Sequence, residues 1–284
     1  MLLLTDQDGR NEIRVVLKEF QVLEGHPASW VDYVNKIIGG SRIPDDELVI
    51  VKNPEYFEKL SAIMTSTDAR TVSNYLMWRA VRSKMNDLNH EAGLLKERFD
   101  EFEYGTISAP PRWKRCAKEA GFQSNKEDSL HVIASSMYIK EYFKSDAKAE
   151  MLEMIANIKS AFKKVVQDGE WMDQLTKSKA LNKLQVMKNF IAYPDELTDE
   201  DTVTKHHSGL EVKEGDFFGN KLRINRWILQ FKHSRLREKV VKTDWRDNSA
   251  VPVVNAFYVP DKNAMKFPAG ILQGIFFNHQ GYIH

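Results

Sequence analysis

The sequence predicts a mainly α-helical protein with a small amount of β-structure near its C-terminal end. Three observations lead there. Apolar residues recur at three- and four-residue spacing through most of residues 67–240, the period that gathers them on one side of a helix. Only Val251–Val259 alternates clearly with a period of two, and it is rich in β-branched and aromatic residues, which is the mark of a strand. No segment repeats and none is of low complexity. With 284 residues, 42% of them hydrophobic, the chain can bury the core of one large or two ordinary domains.

Taken in order, residues 1–45 are weakly patterned, apart from Trp30, Val31, Val34, Ile37 and Ile38 at helical spacing before Gly39-Gly40. Leu48–Val51 reads as a short strand or an extended entry. Asn53-Pro54 opens a short helix, with Pro54 in the first turn. Thr67-Asp68 offers a cap for one long helix to about Tyr104. Its stripe of Tyr75, Trp78, Val81, Met85, Leu88, Leu95, Phe99 and Phe102 is a packing face. Asp128 can cap a helix through about Phe143 that buries Leu130, Ile133, Met137 and Ile139. Ser145 can cap another, whose seam is Met151, Ile155, Ile158, Phe162 and Val165. A further helix is expected from Trp171 through Phe190, closed by Tyr193-Pro194-Asp195. Residues 195–216 read as a surface connection, and Phe217–Lys239 as a last helix. Consecutive seams of this kind imply a layer of antiparallel helices.

The strand at 251–259 contains Pro252, which cannot donate to a ladder and so places it at a sheet edge. Pro260-Asp261-Lys262-Asn263 is a turn, and Ala264–Phe267 returns as a second strand ended by Pro268 and Gly270. An edge strand carries unpaired backbone groups to which an extended peptide can add. Asn255 lies within this strand. Its amide can serve its own sheet or a neighbouring backbone.

Composition narrows the chemistry. The net charge of +1 gives no electrostatic basis for nucleic acid or an anionic membrane surface. Arg112, Lys114, Arg115 and Lys118 around Trp113 make a common solvated face. Leu2-Leu3-Leu4 is too short for a signal-peptide core or a membrane span. The single cysteine, Cys116, fits either a reducing compartment or an inert buried thiol. No two of the eight histidines have the i, i+4 spacing of a helical zinc site with a Glu between. His206 and His207 are expected on different faces. No phosphate-binding glycine loop is present. The residues alone therefore indicate part of a binding surface and no catalytic machinery.

Asn255-Ala256-Phe257-Tyr258 followed by Phe267-Pro268-Ala269-Gly270-Ile271-Leu272-Gln273 resembles the paired signature of the neprilysin and endothelin-converting-enzyme family of zinc metallopeptidases. The segments Asn74–Arg79, Trp113–Cys116 and Trp171–Asp195 resemble that family too, so the likeness spans roughly residues 30–277. It implies a helical, cavity-enclosing region at 1–240 and the first strands of a thermolysin-like α+β catalytic domain at 241–284. It also implies a zinc-dependent endopeptidase acting on oligopeptides, extracellular or the ectodomain of a membrane-anchored protein. In that family the zinc motif follows the second segment, so the zinc belongs to the complete protein and none is bound by this chain. By resemblance, Asn255 bonds the substrate backbone through its side chain and Ala256 through its carbonyl. Phe276 and Phe277 border the pocket for the first residue after the cleaved bond, although Gly274-Ile275 stands where the family has two prolines. Cys116 resembles a cysteine bonded to a distal partner. The alternatives are a catalytically inactive peptide-binding relative and a helical interaction module.

Overall fold

The computed structural model describes residues 12–19, 29–39, 42–105, 110–121 and 130–277. In chain order the elements are β1 (Glu12–Val16), α1 (Trp30–Ile38), β2 (Leu48–Lys52), α2 (Pro54–Ser66), α3 (Ala69–Lys84), α4 (His90–Tyr104), α5 (Arg112–Glu119), α6 (His131–Tyr142), α7 (Ser145–Asp168), α8 (Gln174–Gln185), β3 (Lys188–Ala192), α9 (Glu200–His206), α10 (Phe217–Ser234), β4 (Phe257–Val259) and β5 (Ala264–Pro268). The protein is mainly helical, as its sequence predicts. The chain packs as two compact units. One comprises Met1–Ala109 with Glu211–Glu238, the other Pro110–Leu210 with Lys239–His284.

In the first unit the local chemistry is visible at each boundary. Ser29 Oγ accepts from the Val31 and Asp32 amides to start α1, and Gly39, at φ +60°, ends it. β1 and β2 form an antiparallel pair from Glu12↔Lys52 to Val16↔Leu48. β1 falls in the region that looks unpatterned in sequence. The expected single helix from Thr67 to Tyr104 is two helices. Asn89 Oδ1 accepts from the Ala92 amide and starts α4 afresh. The polar run Asn86-Asp87 before it competes with helical hydrogen bonding. α3 and α4 then face each other: Trp78 meets Phe99 edge-on at 5.7 Å, and the Arg82 guanidinium lies 4.2 Å from the Phe99 ring centre while paired with Glu103.

The second unit holds the larger core: Val132 and Ile139 of α6, Met151 and Ile155 of α7, Ile191 and Ala192 of β3, and Leu197, Val251, Ala269 and Leu272. Three expectations change here. α6 buries Ile139 as expected, but it also buries Val132 and Ser135, whereas Met137 is exposed. The seam of α7 is buried only in its first half, and Ile158, Phe162 and Val165 are exposed. The helix expected to reach Phe190 stops at Gln185, because Lys188–Ala192 pairs with β5 as a parallel strand. Tertiary pairing overrides the helical spacing of Met187 and Phe190. The supposed surface connection after Pro194 also contributes to the core, since Leu197 is 0% exposed. The cap expected at Asp128 lies outside the described residues.

His207 provides a test of this unit. Its Nδ1–H donates to the Val203 carbonyl at 2.8 Å, while burial lowers its pKa below the usual histidine value. The folded state thus binds a proton less readily than the unfolded chain. Stability is full above the unfolded pKa of about 6.5 and is lost as pH falls through it. Thermal unfolding followed from pH 7.5 to pH 5 is expected to show a falling Tm, and His207→Gln should flatten that slope.

Candidate functional site

The site is organised on a three-stranded sheet in the order β3-β5-β4. β5 is central. It runs parallel to β3 (Lys188↔Ala264 to Ala192↔Pro268) and antiparallel to β4 (Phe257↔Lys266 to Val259↔Ala264). β4 is therefore an outer strand among the described residues. The sheet's two faces differ. Ile191, Met265 and Phe267 join the core. On the other face Phe190 and Lys266 are register partners, and the next pair along, Ala192 and Pro268, is buried, with Ala192 itself part of the core. These residues, with Trp245 and Lys148, line a cavity of about 280 Å³. Lys148 Nζ donates to the Tyr193 carbonyl at 3.0 Å and to Asp195 at 2.7 Å, and Lys266 Nζ donates to the Asp247 carbonyl at 3.0 Å.

Two turns fix the ends of the sheet. Asn263 adopts φ +45°, a left-handed conformation that Asn tolerates. Its side chain accepts from Tyr258 OH at 3.0 Å and donates to the Lys183 carbonyl at 2.8 Å, and its own carbonyl accepts from the Lys188 amide at 2.9 Å. One residue thus ties the β4–β5 hairpin to the end of α8 and the start of β3. At the far end of β3, Ala192 sits at φ +60°, and the Tyr193 amide donates back to the Ile191 carbonyl at 2.8 Å. That is a three-residue turn of the rarer, strained kind. It swings Tyr193 and Asp195 towards Lys148.

The expected strand at 251–259 is shortened to 257–259, so Asn255 and Ala256 precede β4 instead of lying within it. Pro252 and Pro268 each lack a donor, and a regular ladder does not extend between them. Val251, Pro252 and Val253 are buried, whereas Val254, Asn255 and Ala256 are exposed. The Asn255 side chain accepts from the Ala256 amide at 2.8 Å. Phe276 is 63% exposed, while Phe277 packs against the core. Cys116 is an exposed free thiol on α5, and not the buried one that its solitary occurrence allowed. The tail after Phe277 lies outside the described residues.

The histidines behave differently from expectation. His206 and His207 meet edge-on, with ring centres 4.8 Å apart, and His206 also meets Trp245 at 5.4 Å. Their sequence adjacency hides this because α9 ends at His206. Among the described residues no three His, Cys, Asp or Glu side chains gather in a group suited to a metal ion. No helix of the described residues is long and apolar enough to cross a membrane.

A mainly helical chain that closes on a small mixed sheet is also the architecture of known peptidases. The open-state structure of the zinc metalloprotease Zmp1 of Mycobacterium tuberculosis superposes with a TM-score of 0.74 at 24% identity, over 96% of this chain and 40% of that one. PepO from Lactobacillus rhamnosis superposes with a TM-score of 0.72 at 22% identity, over 95% and 40%. These likenesses establish the fold. In sequence, residues 4–194 match the model of peptidase family M13. Neprilysin-2 of Drosophila melanogaster is 33% identical over 257 residues, 88% of this chain and 33% of its own length. Human neprilysin is 33% identical over 261 residues, 91% and 34%. The chain belongs to peptidase family M13. It spans about a third of the length of these curated relatives.

Asn263 tests the build of the sheet. Asn263→Ala removes two side-chain hydrogen bonds and leaves a Cβ in a left-handed conformation without compensation. A loss of about 1–3 kcal/mol is expected in urea unfolding. Asn263→Gly, which restores only the conformational freedom, should fall between the two.

Proposed function

We propose that this chain is part of a zinc-dependent metalloendopeptidase acting on oligopeptides, and that it supplies the surface against which the substrate backbone lies. The observation that carries the reading is the placement of exposed Asn255 and Ala256 directly before β4, an outer strand, in a chain of family M13. An extended peptide adding to such an edge gains backbone hydrogen bonds at regular spacing. The Asn255 amide offers both a donor and an acceptor. It now accepts from the adjacent Ala256 amide, so substrate exchanges that local bond for an intermolecular one. The Ala256 carbonyl accepts from a substrate amide. Phe276 and Phe277 border the pocket for the residue after the cleaved bond and favour an apolar side chain there.

Residues 1–240 form the helical region that encloses the cavity of the whole enzyme, and 241–284 begin its catalytic domain. The described residues do not fit a zinc ion, since no set of three ligands is assembled among them. No chemical step through the metal is therefore assigned to this chain. Relatives about three times as long have room for zinc ligands and a general base elsewhere. Cys116 is half of a disulfide to such a distal part. Its exposure on α5 supports this, as does the extracellular setting that the family implies, where disulfides persist. Partners are oligopeptides, not nucleic acid.

Asn255→Ala in the zinc-containing enzyme tests the substrate role. Leaving a substrate amide unpaired costs about 1–3 kcal/mol, which is a roughly five- to 150-fold fall in kcat/KM. If the bond aligns the scissile carbonyl, kcat falls; if it is uniform binding, KM rises. Unchanged kcat/KM per folded molecule removes Asn255 from the substrate site. For Cys116, thiol titration of the 284-residue chain should find one reactive group, and peptide mapping of the whole enzyme should find Cys116 in a disulfide. A free thiol there refutes the pairing.

A further inference from the structure

The two halves of the paired motif, Asn255–Tyr258 and Phe267–Gln273, are separated in sequence, and the backbone geometry gives a reason for their pairing. The β4–β5 ladder ends at Phe257↔Lys266. The next backbone bond between the two stretches runs from the Gly270 amide to the Val251 carbonyl, at 2.9 Å. Six residue steps from Val251 to Phe257 thus face only four from Gly270 to Lys266. Two surplus residues must be displaced from the sheet, as in an enlarged bulge. The displacement falls where exposure changes, from buried Val251–Val253 to exposed Val254–Ala256. Asn255 and Ala256 therefore sit on an arch, pinned at both feet.

The lower foot is rigid for identifiable reasons. The Val251 amide donates to Ser135 Oγ of α6 at 3.2 Å, and Ser135 is 0% exposed. Two residues earlier, Ser249 Oγ donates to the Arg246 carbonyl at 2.6 Å and lies 2.8 Å from His131 Nε2. A hydroxyl has one proton, so Ser249 accepts from Nε2–H of His131. The contact with Gly270 is closer still. A Cβ at that position would lie 2.7 Å from the Val253 carbonyl oxygen, 2.8 Å from the Val253 carbonyl carbon and 2.9 Å from the Pro252 carbonyl carbon. These are backbone atoms and cannot swing aside. Gly270 is not among the positive-φ glycines. Space, and not backbone conformation, excludes a side chain there. Ala269 and Leu272, both buried, fix this second stretch in the core.

We propose that Gly270 and Ser135 are positioning residues that set the height and register of the Asn255–Ala256 arch, so that the second half of the motif acts by shaping the first. The proposal rests on the reading that Asn255 and Ala256 hold an extended peptide backbone. Gly270 admits the 251–253 backbone at close range, and Ser135 holds the Val251 amide. Together they force the surplus residues outward at 254–256. Any side chain at 270 pushes residues 252–253 away and carries the arch with them.

The test uses the 284-residue chain, isotopically labelled, and an N-acetylated, C-amidated hexapeptide of alanine with one central phenylalanine. Wild type is titrated with the peptide while backbone amide resonances are followed. Gly270→Ala is expected to move the amides of Val253–Phe257, to leave those of Lys188–Ala192 in place, and to weaken peptide binding tenfold or more per folded molecule. Ser135→Ala, which removes only a hydroxyl, should move the amides of Ser249–Val253 and weaken binding about threefold. A merely structural role lowers Tm in both variants but leaves the affinity of the folded fraction unchanged. Wild-type amide positions at 253–257 in folded Gly270→Ala overturn the proposal. If that variant does not fold, unchanged affinity and unchanged arch amides in Ser135→Ala overturn it. Absence of peptide binding by wild type refutes the substrate reading of Asn255 and Ala256, while the amide positions still decide whether Gly270 and Ser135 set the arch.

Discussion

Everything in the second unit depends on β5 being paired along both of its edges. Its five residues pair with β3 on one side and its first three with β4 on the other, and Ala264 and Pro268 at its ends are buried. A central strand leaves no freedom of register, since a slip of one residue would turn Met265 and Phe267 out of the core and Lys266 into it. The 3₁₀ turn that follows β5 inserts Ala269 and presents Leu272 to the same core. A fixed β5 therefore fixes three things at once: where the helices α6 and α7 pack, where the cavity beside Trp245 opens, and how far the chain before β4 must rise to join it.

The candidate site owes its character to a mismatch and not to a cluster of reactive groups. Proline at 252 and at 268 removes donors from the stretches that would otherwise pair. Unpaired carbonyls are tolerable at the surface, where water or a ligand serves them, and not in the core. The exposed stretch at 254–256 is thus both a consequence of the interrupted ladder and a set of backbone groups available to a peptide. The cavity on the sheet face differs in this respect, because its lysines already bond Tyr193, Asp195 and Asp247. Bonds already made within the fold argue for a structural role there.

Much of the helical order was legible from residue spacing and caps. Asp68 and Gly39 mark real boundaries because capping is local chemistry, decided within a turn of the chain. The β4–β5 hairpin was legible for the same reason, through alternation and the Pro260–Asn263 turn. What was not legible was set at long range. β3 carries helix-compatible spacing and becomes a strand only because β5 offers a partner. The exposed stripe Ile158, Phe162 and Val165 of α7 looks like a packing seam because periodicity reports amphipathicity and not what is present to cover it. At the site, Asn255 and Ala256 could be singled out by resemblance, but their displacement from the ladder could not. It follows from the Val251–Gly270 bond, which sequence alone does not reveal. Ser135 and His131 gave no signal at all. A buried serine on a helix looks like any other until its acceptor role towards Val251 is seen.

The parallel pairing of β3 with β5 also has a consequence in time. The register partner of Lys188 is Ala264, 76 residues further along the chain. Contacts of such separation form late, after the loop-closure entropy of the intervening chain has been overcome. During synthesis at about 5–20 residues per second, β3 leaves the ribosome roughly 4–15 s before its partner exists. Over that interval Phe190 and Ile191 have no sheet to enter. α7 and α8, whose contacts are local, can fold first and shield them, with Lys159 Nζ already able to bond the Met187 carbonyl and Asn189 at 2.9 Å each. The lysine clamp on β3 thus gives the nascent chain a way to hold an orphan strand in place until the last forty-odd residues of the unit arrive to complete the sheet.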